Sequence, residues 1–350
     1  MPVECPNLRS LDLSVSKLRT FDLRLTPNLE ELRFGEGHAN YVELHMSGIC
    51  FNLRSLVLFK MELRAFDIRL TPNLRNLHLE HSKFMRTLDT GFTLNLEVLS
   101  VSCCDDLEEL QMADEYVNLK RLTLFGLKLS TLTLGPCPNL EFLSIYQCRN
   151  LEEFNMAECP ILKYIYIYNL NLRILDLRLV PNLIELHLTA YDNLVELHLP
   201  NRCINLSTLK CTCLKLRTLD LAPTPNLKTL HLHECRKLVE LRAPIGWLKN
   251  LVFLDLTGCL GFKLFSFDLV HDTSGRVSES RGVHPLAKLA FKLKRCTFHP
   301  DNRMPKFEIT CFHEEDLRSL TTSLEKLISE GPCACTKLET FSRSINIKDA

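Results

Sequence analysis

The dipeptide Asn-Leu recurs along the chain at a nearly constant interval, and this period constrains the fold more than any other feature. Eleven copies share one phase and lie 21 to 24 residues apart, and Ile161-Leu162 fills the one missing place in that phase. A fixed period of this length predicts a stack of similar coils, each of which buries its apolar face only against its neighbours. These eleven copies begin at Asn7, Asn28, Asn52, Asn73, Asn95, Asn118, Asn139, Asn182, Asn205, Asn226 and Asn250.

Each copy opens a Leu-x-x-Leu-x-Leu phrase, such as Leu8, Leu11 and Leu13. This phrase at this period is the signature of leucine-rich repeats, in which one short strand per coil stacks on the next. The alternation places the second and third aliphatic residues on the inward face of that strand. We therefore predict a right-handed, horseshoe-like leucine-rich-repeat solenoid that is mostly β, with short irregular or 3₁₀ turns and little helix.

A weaker phrase follows in many coils and predicts a short extended segment on the opposite wall. Leu18, Phe21 and Leu23 form one copy of it. One position of this phrase carries an aspartate in four coils, and we interpret the row as solvated carboxylates rather than paired catalytic acids. The four residues are Asp22, Asp67, Asp176 and Asp220.

The repeats divide the chain into three predicted segments. We expect residues 2–260 to form an array of about twelve coils, residues 261–282 a loop or linker, and residues 283–350 an irregular C-terminal section with degenerate repeats. Within the last segment, residues 315–329 fit an amphipathic helix and a degenerate repeat equally well. Both ends of the array lack a polar capping unit, so we expect either flanking partners or a truncated chain.

Charge and hydropathy narrow the classes of partner. Lys plus Arg and Asp plus Glu both total 42, so the net charge is zero and no basic footprint for nucleic acid is present. No apolar run approaches the roughly 18 residues of a membrane span. The first residues also lack the basic and apolar regions of a secretory signal. We expect a protein partner, with no role for nucleic acid or a membrane.

The sixteen cysteines follow the repeat register rather than a disulfide framework. Four of them share the ninth position of the phrase: Cys104, Cys148, Cys235 and Cys259. Other coils carry Leu127, Leu170, Tyr191 or Leu214 there, so this position requires an apolar side chain, and a reduced cysteine provides one. The pattern predicts free thiols and a reducing compartment, cytoplasmic or nucleocytoplasmic.

Three stretches carry a family resemblance: Cys137–Ile145, Cys235–Leu241 and Pro244–Cys259. They resemble the C-terminal repeats of plant intracellular immune receptors, which also have a Toll/interleukin-receptor-like signalling domain and a nucleotide-binding switch. The resemblance covers residues 2–260 well and 283–345 loosely. It implies a non-enzymatic recognition or autoinhibition module of the disease-resistance type. Its implied partner is a pathogen effector, a host protein that the receptor guards, or the receptor's own other domains.

The chain departs from that family in one respect. The switch needs a phosphate-binding Gly-x-x-x-x-Gly-Lys-[Ser/Thr] loop, which this sequence does not contain. The resemblance therefore implies a fragment without the signalling and nucleotide-binding domains. Two alternatives are a leucine-rich-repeat substrate adaptor of a ubiquitin ligase, whose repeats are usually longer and carry a helix, and an extracellular leucine-rich-repeat receptor domain.

Aromatic residues are concentrated at outward strand positions in the middle of the array. Because neighbouring strands lie about 4.8 Å apart, these rings should form one contiguous patch. Aromatic residues dominate protein–protein hot spots, so we predict that the patch binds a partner. The alternative is that the rings fill gaps between coils or pack against another domain. The patch comprises Phe125, Phe142, Tyr146, Tyr164, Tyr166 and Tyr168.

No catalytic, cofactor or metal site is predicted. His231 and His233 lie two residues apart on one strand face, where exposed polar residues are the simpler interpretation. Four residues near the C-terminus are of types that bind zinc, but their spacing matches no standard zinc finger. They are Cys296, His299, Cys311 and His313.

Overall fold

A computed structural model describes residues 4–14, 18–35, 42–46, 48–63, 67–191, 193–244, 253–255, 259, 264–268, 296–300 and 307–311. The chain forms two compact units, Met1–Leu172 and Arg173–Ala350. Each is a stack of coils that contributes one strand per Asn-Leu phrase to a parallel sheet. The predicted leucine-rich-repeat solenoid is therefore confirmed.

In the first unit, equivalent residues of successive coils lie side by side. Leu122 on one strand pairs with Leu143 on the next, and Leu143 pairs with Ile165. The repeat period thus sets the register of the sheet. Its strands are β1 Ser10–Asp12, β3 Glu31–Phe34, β5 Ser55–Phe59, β7 Asn76–Glu80, β9 Val98–Ser102, β11 Arg121–Phe125, β13 Phe142–Tyr146 and β15 Tyr164–Tyr168.

The weaker phrase forms the opposite wall of this unit. Its strands are β2 Thr20–Asp22, β4 Val42–His45, β6 Met61–Glu62, β8 Thr87–Asp89, β10 Glu109–Gln111, β12 Thr131–Leu134 and β14 Glu153–Met156. They pair in parallel as three short sheets: β2-β4-β6, β8-β10 and β12-β14. Among the described residues, helical structure is limited to two 3₁₀ turns, Leu23–Leu25 and Ile68–Leu70, as the prediction of little helix requires.

The core is a column of aliphatic side chains between the two walls. Along β5 buried and half-buried residues alternate, so Leu56 and Leu58 point inward while Val57 points outward. The first leucine of the phrase is also fully enclosed, as at Leu53 and Leu74. Because each side chain contacts mainly the coils above and below, truncating one such leucine to alanine should cost about 2–5 kcal/mol.

In most of the described coils the asparagine of the phrase bonds to the preceding coil. Asn73 Nδ2 donates to the carbonyl oxygen of Phe51 at 2.8 Å, and Asn139 Nδ2 donates to that of Val117 at 2.7 Å. In the second unit, Asn226 Nδ2 donates to the carbonyl oxygen of Ile204 at 2.9 Å. These bonds satisfy carbonyls that the sheets leave unpaired, which explains why the period is marked by Asn.

The aspartates of the second phrase, which the sequence suggests to be a solvated row, also have a structural role. Asp67 Oδ1 accepts a hydrogen bond from the backbone N–H of Arg69 at 3.0 Å, and the Arg69 guanidinium returns to the same carboxylate at 2.8 Å. Asp22, Asp176 and Asp220 likewise accept from the N–H two residues on. Each carboxylate therefore caps the turn that follows it.

The residue after each main-sheet strand from β5 to β13 has a left-handed backbone, with φ of 53° at Lys60, 50° at His81, 50° at Cys103, 65° at Gly126 and 53° at Gln147. Its N–H donates to the last strand residue of the next coil, as from Gly126 to the Tyr146 carbonyl at 2.8 Å. This conformation turns the chain off the sheet while keeping the bond between coils.

The second unit repeats the same plan. Its main sheet contains β17 Glu185–Tyr191, β19 Thr208–Cys213, β21 Thr229–His231 and β23 Phe253–Asp255 in parallel, with β25 Cys296–Pro300 and β26 Phe307–Cys311 added in antiparallel. The opposite wall consists of β16 Ile174–Asp176, β18 Glu196–His198, β20 Thr218–Asp220, β22 Glu240–Pro244 and β24 Leu264–Asp268.

Buried cysteines fill the core of the coils as predicted. Cys104 and Cys148 in the first unit, and Cys235 and Cys259 in the second, are at most 1 % exposed. In the second unit, Cys211 Sγ also lies 2.8 Å from Cys213 Sγ inside the stack.

Several C-terminal predictions fall largely outside the described residues. In the segment predicted as a loop, 261–282, residues Leu264–Asp268 form strand β24, and the others are not described. The choice between a helix and a degenerate repeat at 315–329 lies wholly outside the described residues.

Candidate binding surface

The outward side of strands β11, β13 and β15 in the first unit carries the six aromatic residues predicted from the sequence. Period-two alternation makes their inward neighbours, such as Leu143 and Ile165, fully buried core residues. The parallel register then aligns the outward residues of successive coils. We call the six rings the aromatic face: Phe125, Phe142, Tyr146, Tyr164, Tyr166 and Tyr168.

Ring contacts make the aromatic face continuous across three strands. Register pairs Phe125 with Tyr146 and Tyr146 with Tyr168, and the ring centroids of these pairs lie 6.5 and 4.5 Å apart. The rings of Tyr146 and Tyr168 are stacked, with an interplanar angle of 11°. On the other side, the Phe142 and Tyr166 rings lie 5.5 Å apart. Such pairs contribute about 0.5–1.5 kcal/mol beyond the area that they bury.

The rings are half-buried, whereas the sequence suggested fully outward, exposed side chains. They cover one another and also Ser144, which points outward between Phe142 and Tyr146 yet is only 2 % exposed. A small residue in the centre thus lets the surrounding rings close over it. Burial also raises the pKa of the Tyr168 hydroxyl, with a smaller contribution from Tyr146, so the phenol stays protonated at neutral pH.

Arg121 is a residue of this surface that the sequence analysis missed. It occupies an exposed outward position of β11, and its guanidinium carbon lies 4.8 Å from the centroid of the Phe142 ring. This is the geometry of a cation–π contact. The alternation that places the rings on this side of the sheet places Arg121 there too, but a pattern of aromatic residue types does not include an arginine.

Charges at the beginning of these strands are already paired. Lys120 Nζ lies 2.7 Å from a carboxylate oxygen of Glu97, and Lys163 Nζ lies 3.1 Å from one of Glu141. These exposed pairs contribute little stability. They do, however, place a carboxylate next to each of these two lysines at the border of the aromatic face.

The other candidate groups form no comparable site. The rings of His231 and His233 stack at 5.9 Å, and β25 places Cys296 opposite Cys311 in the backbone register of β26. His313 lies outside the described residues. Within the described ranges, no cluster of three or more His, Cys, Asp or Glu residues could hold a metal ion. Nor does any helix in that part of the chain reach the length and apolarity of a membrane span.

Comparison with solved structures finds other leucine-rich-repeat proteins. The leucine-rich-repeat domain of the type III effector XopL is 20 % identical, with a TM-score of 0.39, over 54 % of this chain and 70 % of that domain. A leucine-rich cell surface protein from Faecalibacterium prausnitzii A2-165 is 11 % identical, with a TM-score of 0.27, over 79 % of this chain and 83 % of that protein. No protein-family model matches the sequence, and no curated protein matches it either.

Proposed function

We propose that the chain is a non-enzymatic protein-recognition module and that a protein partner docks on the aromatic face. The observation that carries this proposal is the continuous run of ring contacts across β11, β13 and β15. Rings that already hold one another in place lose little conformational freedom on binding. A partner that covers them would gain apolar burial at a small entropic cost.

The regular backbone beneath the rings supports the same proposal. Ser144 and Tyr166 lie directly opposite each other in the parallel register, on a sheet whose inward side chains are fully buried. Binding sites on regular strands are held more accurately than sites on loops. The tyrosine hydroxyls add hydrogen-bonding groups at the tips of apolar rings, a combination that is typical of interface hot spots.

We propose further that the module belongs to the plant immune receptor lineage and acts in recognition or autoinhibition. The phrases at Cys137–Ile145 and Pro244–Cys259 support this assignment by resemblance. Its test is the transcript that encodes the chain. An upstream reading frame in register with a phosphate-binding loop is expected, and a complete transcript without one would contradict the receptor-fragment proposal.

A cytoplasmic or nucleocytoplasmic location is proposed from the use of cysteine. Nine of the described thiols are buried, and burial raises the pKa of Cys104, Cys148 and Cys203 to about 11. Such thiols act as apolar core residues and resist oxidation. Protein extracted from its native tissue under acid trapping should therefore yield all sixteen cysteines as thiols after denaturation. A count reduced by an even number would contradict a reducing compartment.

The docking proposal is tested with a random-peptide phage library selected on the immobilised full chain. Synthetic copies of the enriched peptides are then titrated against the wild type, the double variant Phe142→Ala/Tyr166→Ala and the control Phe92→Ala. Phe92 is 59 % exposed and lies outside the aromatic face. We expect the double variant to bind at least roughly tenfold more weakly and the control to bind normally. Unchanged affinity in a double variant with native circular dichroism would sink the proposal.

A further inference from the structure

We propose that the partner presents a carboxylate to Arg121 next to apolar side chains that cover the rings. The inference rests on the docking role assigned to the aromatic face and specifies the chemistry of its partner. It starts from the one charged residue on an otherwise uncharged surface.

The guanidinium of Arg121 is positioned but unpaired. Its central carbon lies over the Phe142 ring, 4.8 Å from the centroid. A contact with a ring face occupies none of the N–H groups in an ionic bond, and their planar fork matches a carboxylate in bidentate geometry. In the described part of the chain, Arg121 forms no ion pair, whereas the neighbouring Lys120 is held by Glu97.

The outward residues around Arg121 are uncharged. Strands β9, β11, β13 and β15 have twelve outward residues, and Arg121 is the charged one among them. The other eleven are Val98, Ser100, Ser102, Thr123, Phe125, Phe142, Ser144, Tyr146, Tyr164, Tyr166 and Tyr168. Because Lys163 is paired with Glu141 at the border, the face offers one uncompensated positive charge in an aromatic setting.

When a partner covers the aromatic face, the charge of Arg121 should discriminate between acidic and other partners. A bound segment would remove water from around the guanidinium, and an arginine that is desolvated without a partner is unfavourable. An acidic side chain at that point restores the lost interactions, while an amide or an apolar side chain does so only in part. The same group therefore favours acidic partners and disfavours others, as specific interfaces commonly do.

The experiment uses the peptides enriched on the full chain as probes. Each peptide is synthesised with its Asp and Glu residues intact and with Asn and Gln in their place. Both forms are titrated by fluorescence anisotropy. We expect the wild type to prefer the acidic form by roughly tenfold, the gain expected of a charge-assisted bond. Arg121→Gln should lower this ratio to about one. Arg149→Gln, at an exposed turn after β13, should leave it unchanged and serves as the matched control.

The outcomes separate the two proposals. If no enriched peptide depends on Phe142 and Tyr166, the docking proposal fails and this one fails with it. If peptides depend on those rings but bind equally well in acidic and amide forms, docking stands and the carboxylate inference is overturned. Selection of basic peptides, or an acidic preference that survives Arg121→Gln in a variant with native circular dichroism, also overturns it.

Discussion

The residue after each main-sheet strand from β5 to β13 has a conformation that L-amino acids adopt at a cost, and glycine occupies only one of these five positions. Gly126 has a φ of 65°, close to the values of Lys60, Cys103 and Gln147 at equivalent positions. At the positions without glycine, the hydrogen bond between coils that this conformation permits offsets its steric cost. Sequence alone did not reveal this constraint because the residue types at the position share no chemistry.

Replacing Gly126 with alanine isolates the backbone cost. An added Cβ would lie 3.7 Å from Cys103 Sγ, so it fits without a clash, and only the left-handed conformation is penalised. We expect Gly126→Ala to lower the free energy of unfolding by about 1 kcal/mol in urea denaturation. Gly48→Ala is the control, since that position has no neighbour within 4 Å of the new atom and no left-handed backbone. Equal effects of the two substitutions would refute the explanation.

The turn-capping aspartates predict a dependence on acid pH. The hydrogen bond from Arg69 holds the pKa of Asp67 below its ordinary value of 3.8. A lowered folded-state pKa means that this stabilisation is complete above the ordinary value and is lost as the pH falls through the lower one. Asp67→Asn keeps an amide oxygen that can cap the turn but removes the charge, so it should cost roughly 0.5 kcal/mol at neutral pH, and the difference from wild type should vanish in strong acid.

The measurement is urea denaturation of both proteins across the acid range. Glu108→Gln removes an exposed carboxylate of the same unit and is the matched control, with no comparable effect expected. A difference between wild type and Asp67→Asn that stays constant down to the lowest pH would show that the charge of Asp67 is not involved.

At the scale of the coil, the sequence predicted the elements well and their bonds poorly. The strands and the buried positions, such as Leu56 and Leu58, follow from the repeat period and from the period-two alternation within each strand, both of which are visible in the sequence. The partner of Asn73 does not, because that hydrogen bond joins residues 22 positions apart through a register that only the folded stack defines. For the same reason the aromatic face was predicted from alternation, while the burial of Ser144 beneath it was not.

The asparagine bonds predict the effect of one substitution at this scale. Asn73 donates to the Phe51 carbonyl and accepts from Asn95, so it joins three successive coils. We expect Asn73→Ala to lower the free energy of unfolding by about 1 kcal/mol, as measured by urea denaturation. Asn150→Ala changes an exposed asparagine outside this row and should have little effect. Comparable losses in both variants would indicate a general effect of removing asparagine.

At the scale of the molecule, stability should depend on whole coils. Deletion of residues 118–138 removes one full period, after which Asn139 takes the place of Asn118 and the inward residues stay in register. Deletion of residues 118–128 removes only about half a period, so a segment of the opposite wall would follow where a main-sheet strand is required. We expect the first variant to unfold cooperatively at a lower urea concentration and the second to lose its cooperative transition. Cooperative unfolding of the second variant would contradict the stacked architecture.

The bonds between coils also have a consequence for synthesis on the ribosome. The Phe51 carbonyl has its hydrogen-bond donor only after Asn73 has been translated, and the Gly126 N–H has its acceptor only after Tyr146 has been translated. In both cases the earlier coil is completed by atoms translated about one period later. A nascent chain that leaves the exit tunnel should therefore always carry one coil at its growing end whose inter-coil hydrogen bonds are not yet formed. Each newly emerged coil should supply those bonds and so stabilise the coil before it.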